Sequence, residues 1–195
     1  KSETFSVENN PNDPAAGTRE VSFSRHLFVE ADDFLETPIP KYKRLYPNGP
    51  ECRLKGAYLI TCTGCVKDAD GNVTEILATY DPESKGGNPA DGRKVKGATI
   101  HWVDEATAVD AEVRLYDNLF ADPDPDGGEK DFLECLNPGS LQVLTGCKLE
   151  AFLADTKPAD RFQFLRLGYF CADSKDSKPG ALVFNRAVSL KDSFK

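Results

Sequence analysis

The fold is decided by residues 51–80, which read ECRLKGAYLITCTGCVKDADGNVTEILATY. Two runs rich in apolar and β-branched residues, 51–66 and 73–80, flank an Asp-Ala-Asp-Gly sequence at 68–71. Two such runs joined by an Asp-Gly turn are typical of a β-hairpin. The sequence therefore predicts an antiparallel hairpin in the first half of the chain.

On either side of this hairpin the chain continues as short strands. Further strands are predicted at 21–30, 94–103, 112–116, 140–145, 161–172 and 182–189. Helical signals are confined to 131–136 and 150–154. Short strands with frequent Gly and Pro between them are typical of barrels and sandwiches. The predicted fold class is therefore all-β with a few short helices.

The composition fits a folded protein outside the membrane. Hydrophobic residues make up 39% of the 195 residues and aromatic residues 10%, enough to bury a core. No apolar run approaches the roughly 18 residues of a membrane helix. The chain begins at Lys1 and contains no Met, so we expect a fragment or a processed product. We expect a cytoplasmic location, with six cysteines as reduced thiols: Cys52, Cys62, Cys65, Cys135, Cys147 and Cys171.

Charge is unevenly distributed along the chain. The net charge is −8, which taken alone disfavours a nucleic-acid partner. Five basic residues nevertheless lie between 41 and 55 against one acid, Glu51, and a second basic cluster lies at 93–96. The acids gather in 1–36 and 122–134. A basic face on an acidic protein and an ordinary set of solvated charges both fit this pattern.

Two motifs with metal-binding spacing have simpler interpretations. Cys62 and Cys65 have CxxC spacing, but a structural zinc ion takes four ligands and the chain has no second pair of this kind. Residues 122–127, DPDPDG, resemble the start of a calcium loop, but the twelfth position is Leu133 rather than Glu. We therefore expect packed thiols, a solvated acidic loop and no metal site.

Catalytic machinery is not visible in the sequence. No GxSxG, HExxH or P-loop motif occurs, and the two histidines, His26 and His101, have no local catalytic partner. Asp32 and Asp33 are adjacent carboxylates, which point to opposite faces of an extended strand and make a poor acid–base pair. No catalytic residue is predicted.

The basic segment gives the best functional signal. At 41–44 the sequence KYKR brackets an aromatic residue with cations. Cations contact phosphates and base edges, and an aromatic ring stacks on an unpaired base. Arg53 and Lys55 then alternate with apolar residues, which places both cations on one face of a strand. This pattern suits recognition of a single-stranded RNA loop.

Five longer runs resemble the C-terminal half of bacterial glutaminyl-tRNA synthetases. They are PADGRKVKGATIHWV at 89–103, VRLYDNLF at 113–120, LNPGSL at 136–141, FQFLRLGYFC at 162–171 and VFNRAVSLKDS at 183–193. The similarity covers nearly the whole chain, in order and with similar spacing. It is specific to the glutaminyl enzymes and the eukaryote-like glutamyl enzymes, which share this region.

The resemblance implies two β-barrels, one proximal and one distal to a catalytic core. The proximal barrel would consist of 1–30 and 113–195, and the distal barrel, 31–112, would be inserted into it. Enzymes of the family join glutamine to tRNA using ATP and magnesium, through motifs similar to HIGH and KMSKS. Neither motif occurs here, so we expect no cofactor in this chain, with ATP and magnesium belonging to the parent enzyme. The expected partners are glutamine-specific tRNA and the parent's own catalytic domain, with the protein a monomer.

The resemblance also implies which residues read the anticodon. Matched position by position, the third base falls to Lys43 and Arg44, with Lys41 beside them, the first base to Arg53 and Lys55, and the middle base to Gln163 and Arg166.

Three positions depart from the family pattern. Lys41 stands where a Gln is expected, Lys55 where an Arg is expected, and Leu165 where an acid is expected. Lys lacks the bidentate fork of Arg, so reading of the first base should be less directional. The family also uses an Arg upstream of Lys1, so the middle-base pocket should be incomplete in this chain.

Gln163 and Arg166 present a geometric difficulty. They are three residues apart, and so lie on opposite faces of a regular strand. If both residues read one base, the strand must bulge or end between them.

Two alternative functions stay open at this point. The parent could be a glutamyl enzyme, whose anticodon differs at the third base. The chain could instead be a non-enzymatic all-β module that binds a protein through its acidic surface. Binding with little dependence on salt would favour that module, because phosphate contacts release counterions.

Overall fold

A computed structural model describes residues 2–127 and 130–190 of the chain. Contacts divide the chain into two compact units, of which the first ends at Thr107 and the second begins at Ala108. Each unit has its own hydrophobic core. The two units are described separately below.

The first unit is built from short strands in three sheets. The strands are β1 Glu3–Glu8, β2 Thr18–Phe23, β3 Leu27–Val29, β4 Cys52–Leu54, β5 Leu59–Lys67, β6 Val73–Asp81, β7 Thr99–Ile100 and β8 Trp102–Asp104. Strands β1 and β2 pair with each other, β3 pairs with β8, and the largest sheet has the order β6-β5-β4-β7. Strand β7 runs parallel to β4, and the other pairs are antiparallel.

The predicted hairpin is confirmed as β5 and β6, which pair from Leu59 opposite Asp81 to Lys67 opposite Val73. In the turn, the Asp68 carboxylate accepts hydrogen bonds from the backbone N–H groups of Asp70 and Asn72 at 3.0 and 2.8 Å. A side chain that replaces backbone hydrogen bonds in this way is the reason that Asp favours such turns.

The predicted strand over 51–66 is interrupted, because a tight turn separates β4 from β5. Gly56 has a φ of 73°, a left-handed conformation that costs glycine little. The Leu54 N–H donates to the Tyr58 carbonyl at 2.9 Å and closes this turn. Residues 94–98 of the predicted strand 94–103 likewise precede β7 rather than forming part of it.

The core of the first unit joins all three sheets. Its buried members are Phe5, Leu45, Cys52, Leu54, Ala57, Tyr58, Cys62, Ile100 and Trp102. The Phe23 ring packs edge-on against Trp102 with ring centroids 5.2 Å apart. Edge-to-face aromatic pairs of this kind add to the stability gained by burial alone. Leu45, which follows the basic residues Lys43 and Arg44 in the chain, packs in this core and connects the basic segment to it.

The second unit contains one five-stranded sheet. Its strands are β9 Val109–Tyr116, β10 Leu141–Leu149, β11 Arg161–Phe164, β12 Gly168–Ala172 and β13 Leu182–Ser189, in the order β10-β9-β13-β12-β11. Only β13 and β9 run parallel among these pairs of described strands. The fully buried ring of Phe184 lies at the centre of the core. Strand β11 lies at an edge of the sheet.

Every helix in the described residues is a short 3₁₀ segment of five residues or fewer. Phe132–Cys135 and Ala151–Asp155 fall where the sequence predicts helical turns. The Asp131 carboxylate accepts the Leu133 N–H at 2.9 Å and begins the first of them. Across 2–127 and 130–190, no helix has the length and apolar character needed to span a bilayer.

The all-β class predicted from the sequence is confirmed. Among the described strands, no hydrogen-bonded pair joins β10 to β11 or otherwise closes a sheet on itself. Closure into two barrels therefore stays a prediction. The division into 1–30 with 113–195 and an inserted 31–112 also stays a prediction, whereas contacts separate the two units at Thr107.

Candidate nucleic-acid interface

The basic segment 41–46 is held against residues 33–35 by backbone hydrogen bonds. The Leu45 N–H donates to the Asp33 carbonyl at 2.9 Å, and the Leu35 N–H donates to the Leu45 carbonyl at 3.0 Å. Leu45 is 2% exposed, whereas Lys41 and Lys43 are exposed. The buried Leu45 fixes the segment in place, and the side chains of Lys41 and Lys43 project into solvent.

Arg44 is oriented by two groups beneath it. Its Nη1 donates to the Asp32 carbonyl at 3.2 Å and lies 3.3 Å from Oδ1 of Asp33. Asp33 is fully buried, and the Arg44 side chain is 39% exposed. Among the described residues, Nε and Nη2 of Arg44 have no partner. The guanidinium is therefore held by one nitrogen while two others can still donate.

Tyr42, the aromatic residue between Lys41 and Lys43, is partly buried. Its hydroxyl donates to the Asp32 carbonyl at 3.0 Å, the same oxygen that Arg44 contacts. Burial raises the pKa of Tyr42 above its ordinary value. Its ring lies 6.3 Å from that of Tyr46, centroid to centroid. Tyr42 thus supports the segment from within.

Ala98 links the basic segment to strand β4. Its N–H donates to the Lys43 carbonyl at 2.7 Å, and its carbonyl accepts the Arg53 N–H at 3.0 Å. The backbones of Lys43 and Arg53, which are ten residues apart in the sequence, are thereby joined through one residue. The structure therefore brings the predicted third-base and first-base segments together.

Arg53 is half-buried in β4 and is held by the chain opposite it. Its Nε donates to the Gly87 carbonyl. Gly87 has a φ of 85°, and a Cβ at this position would lie 3.0 Å from Cγ and Cδ of Arg53. Glycine is therefore required here both for the backbone conformation and for the space that Arg53 occupies.

Lys55 follows β4 and is exposed. Its N–H donates to the Ile100 carbonyl, and its carbonyl accepts Nε1–H of Trp102 at 3.0 Å. Burial alternates along 52–55 as the sequence predicts, with Cys52 and Leu54 buried and Lys55 in solvent. The buried Trp102 thus fixes the backbone that carries the Lys55 side chain.

The second basic cluster at 93–96 divides into two parts. Arg93 forms ion pairs with Glu51 and Asp81 at 2.6 Å and with Asp91 at 2.9 Å. These hydrogen bonds raise the pKa of Arg93, and its hydrogen bond lowers the pKa of the Asp81 carboxyl. Lys94 and Lys96 are exposed. Arg93 therefore anchors the chain, and the two lysines remain in solvent.

Gln163 and Arg166 lie on the β11–β12 hairpin of the second unit. Gln163 is exposed on β11, which ends at Phe164, and Arg166 lies in the following turn with a φ of 64°. The Leu167 N–H donates to the Phe164 carbonyl at 2.9 Å and closes this turn. The strand therefore ends between the two predicted residues, as a shared role in reading one base would require.

The two predicted non-sites have ordinary local structure. Cys62 is buried and Cys65 partly buried on β5, and burial raises the pKa of the Cys62 thiol. In the acidic loop, the Asp122 carboxylate accepts the Asp124 N–H at 3.0 Å, and residues 128–129 lie outside the described residues. Within the described chain, no cluster of three His, Cys, Asp or Glu side chains is placed to hold a metal ion.

Similarity to known families covers both units. Residues 1–81 and residues 99–173 each match a family described as tRNA synthetases class I (E and Q), anti-codon binding domain. The chain belongs to these anticodon-binding domains. The family resemblance inferred from the sequence is thereby confirmed.

Relatives of this anticodon-binding chain carry a consistent name. Glutamine–tRNA ligase of Clostridium kluyveri is 55% identical over 196 residues, covering 100% of this chain and 35% of that protein. The ligases of Pseudomonas syringae pv. tomato and Cupriavidus necator are 54% and 55% identical, covering 91% and 100% of this chain and 31% and 33% of their own lengths. The chain spans about a third of the curated relatives that it matches.

Asp33 is the residue of this anticodon-binding chain that sequence reasoning missed. Next to Asp32, its carboxylate has no distinguishing local pattern. The difference arises from the 3₁₀ segment Ala31–Asp33, which exposes Asp32 and buries Asp33 beneath Arg44. Since this segment is only three residues long, periodicity in the sequence could not have revealed it.

Proposed function

We propose that this chain recognises the anticodon of glutamine-specific tRNA, as the anticodon-binding part of a glutamine–tRNA ligase. The observation that carries the proposal is the similarity of the whole chain, at about 54–55% identity, to proteins named glutamine–tRNA ligase. The geometry of the basic segment and of the β11–β12 hairpin supports the assignment of individual residues.

Arg44 is the residue assigned to the third anticodon base. That base is a guanine in glutamine anticodons, and a guanine edge accepts two parallel hydrogen bonds from a guanidinium group. Arg44 keeps Nε and Nη2 available while Asp33 holds Nη1. A guanidinium that is already oriented loses less conformational entropy on binding. Lys41 and Lys43 in the same segment supply positive charge for the phosphates.

Arg53 and Lys55 are assigned to the first base, and Gln163 and Arg166 to the middle base. Arg53 has its Nε engaged by the Gly87 carbonyl, which orients its remaining donors. Gln163 carries an amide, which can both donate to and accept from a base edge. Arg166 lies in the turn beyond the end of β11, where side chains no longer alternate between the two faces of a strand.

Chemistry on ATP and glutamine is assigned to the rest of a longer ligase. No nucleotide-binding motif of the family occurs in this chain. Incubated with ATP, glutamine and tRNA, the chain alone should release no pyrophosphate beyond a mock-purified control. We assign it to the cytoplasm as a monomer, with the catalytic domain of the same ligase as its second partner.

A titration with two RNAs at two salt concentrations tests the proposal. We expect glutamine-specific tRNA to bind more tightly than a variant with a changed third anticodon base. We also expect both affinities to fall with salt, because bound lysines and arginines release counterions from phosphates. Preference for the third base of glutamate anticodons would instead indicate a glutamyl parent. Equal binding of both RNAs, or binding indifferent to salt, would contradict anticodon reading by this chain.

A further inference from the structure

An open row of side chains crosses three strands beside Gln163. Tyr169 on β12 is the direct cross-strand partner of Gln163 on β11 and of Val188 on β13. Direct partners project from the same face of a sheet, with Cβ atoms roughly 4.5–5.5 Å apart. Tyr169 is 48% exposed and Val188 56% exposed. An aromatic ring therefore lies open to solvent next to the amide of Gln163.

The other face of this hairpin is anchored in the core. Phe162 and Phe164 alternate with Gln163 along β11 and point inward. The Phe164 ring stacks on Phe170 with centroids 4.4 Å apart and lies 5.4 Å from the ring of Phe184. These contacts hold the hairpin backbone, so the ring of Tyr169 is presented from a fixed base.

Tyr116 in the same sheet provides an internal comparison. It is 49% exposed, almost the same as Tyr169. Its hydroxyl donates to Oδ1 of Asn185 at 3.0 Å, whereas the Tyr169 hydroxyl and ring have no partner among the described residues. Tyr116 is therefore fixed by a polar contact in its own sheet. Tyr169 makes no comparable contact with the described residues, so nothing in the sheet fixes its side chain in the way that Asn185 fixes Tyr116.

Arg161 supplies a cation on the outer face of the hairpin that carries Tyr169. Arg161 precedes Gln163 by two residues, so it projects from the same face of β11. Among the described residues, no carboxylate pairs with Arg161. The neighbouring Asp160 instead accepts the Lys157 N–H at 2.8 Å. Arg161 also lines a surface groove of about 450 Å³, together with Phe152, Thr156, Phe162 and two carboxylates, Asp155 and Asp160.

We propose that Tyr169 is a stacking platform for the unpaired base that Gln163 reads, with Arg161 contacting the phosphate beside it. The inference rests on the proposed function. It adds a contact to the face of the base, whereas the proposed function assigns contacts to the edge of the base. Single-stranded bases bind proteins through stacking on exposed aromatic rings together with cations along the backbone. A base held flat on Tyr169 would present its edge to the adjacent amide.

The test measures the affinity of the 195-residue chain for a synthetic anticodon stem-loop with a glutamine anticodon, at one fixed salt concentration. Tyr169→Ala should weaken binding about tenfold, within the range found when a stacking aromatic is removed. Tyr169→Phe keeps the ring and should bind like the wild type. Tyr116→Ala, which removes an equally exposed tyrosine, should also leave binding unchanged. Thermal melting of all three variants establishes that each is folded.

A second stem-loop with an abasic middle nucleotide isolates the stacking contact. Without a base there, Tyr169→Ala and the wild type should bind this RNA equally. Arg161→Ala should weaken binding to both stem-loops by the same factor, because a phosphate contact does not depend on the base. The comparison separates loss of stacking from a general change in the hairpin.

The possible outcomes separate a failure of the stacking platform from a failure of the proposed function. If the wild type does not distinguish the glutamine stem-loop from one with a changed anticodon, the proposed function is wrong. If it does, but Tyr169→Ala binds like the wild type, the stacking platform is wrong and the function stands. If Tyr169→Ala lowered the affinity for the intact and the abasic stem-loops by the same factor, the stacking platform would also be wrong. The contribution of the ring to binding would then not depend on the base.

Discussion

The basic segment of the first unit and the β11–β12 hairpin of the second unit present the side chains proposed to bind RNA in two different ways. In the first, Arg44 is held by the buried Asp33 and the Asp32 carbonyl, and Arg53 by the Gly87 carbonyl. In the second, the hairpin is fixed from behind by stacked phenylalanines, while Gln163 and Tyr169 extend freely from the outer face. One region orients its side chains, and the other orients its backbone.

The difference fits the chemistry that each region is proposed to perform. A guanidinium that reads a guanine edge needs correct direction, because two parallel hydrogen bonds must form together. A ring that stacks on a base needs only an open face, since every base has one. The contact of Asp33 with Arg44 gives the guanidinium its direction. The solvent-facing side of the β11–β12 hairpin gives Tyr169 an open ring face.

The largest expected effect comes from removing the anchor of the hairpin. Phe170 is 3% exposed and stacks on Phe164, so Phe170→Ala should lower the free energy of unfolding by about 3–5 kcal/mol. Phe152→Ala, at a 52% exposed ring, is the control and should cost far less. Chemical denaturation measures both variants. Similar losses would show that the hairpin does not depend on its aromatic anchor.

The next prediction removes the group that orients Arg44. Asp33→Ala should destabilise the protein by about 1.5–3 kcal/mol, because it removes the charge-assisted contact between a fully buried carboxylate and Arg44. It should also reduce discrimination of the third anticodon base, since Arg44 is no longer directed. Asp32→Ala is the matched control, because its exposed carboxylate has no such contact and only its backbone carbonyl touches Arg44. Unchanged discrimination in folded Asp33→Ala would remove Asp33 from the reading of this base.

Asp33 and Arg166 show where prediction from the sequence reaches its limit. The hairpin at 59–81 follows from turn chemistry and strand composition, which are local, and it was confirmed. Burial of Asp33 depends on contacts with Arg44 and Leu45, eleven or more residues away, which no local pattern encodes. The strand end before Arg166 was expected only as a condition for two residues to read one base. The anticodon-reading roles came from family resemblance rather than from spacing, and they remain proposals.

Arg44 itself provides the direct test of the oriented region. Arg44→Ala should weaken binding of glutamine-specific tRNA by about 1–3 kcal/mol, and should matter less for a tRNA whose third anticodon base is changed. Lys94→Ala, at an exposed lysine outside the predicted reading set, should weaken both tRNAs equally or neither. Because the substitution also removes a contact of Asp33, the comparison between the two tRNAs matters more than either affinity alone. An equal loss on both tRNAs would show that Arg44 contacts only a phosphate.

The smallest expected effect concerns Lys55, where the family pattern has an Arg. Its backbone is fixed by Ile100 and Trp102, so a longer side chain at this position would be presented from the same place. Lys offers a single ammonium group, whereas Arg offers a planar fork that can donate two parallel hydrogen bonds to a base. Lys55→Arg should therefore sharpen discrimination of the first anticodon base by about 1 kcal/mol, the lower end of the value of a bidentate pair. Lys96→Arg adds the same group at another exposed lysine of the first unit and should leave first-base discrimination unchanged. Binding to tRNAs that differ only at the first base measures both variants. A gain in affinity without a gain in discrimination would place Lys55 on the phosphate backbone, and would leave Arg53 to read the first base alone.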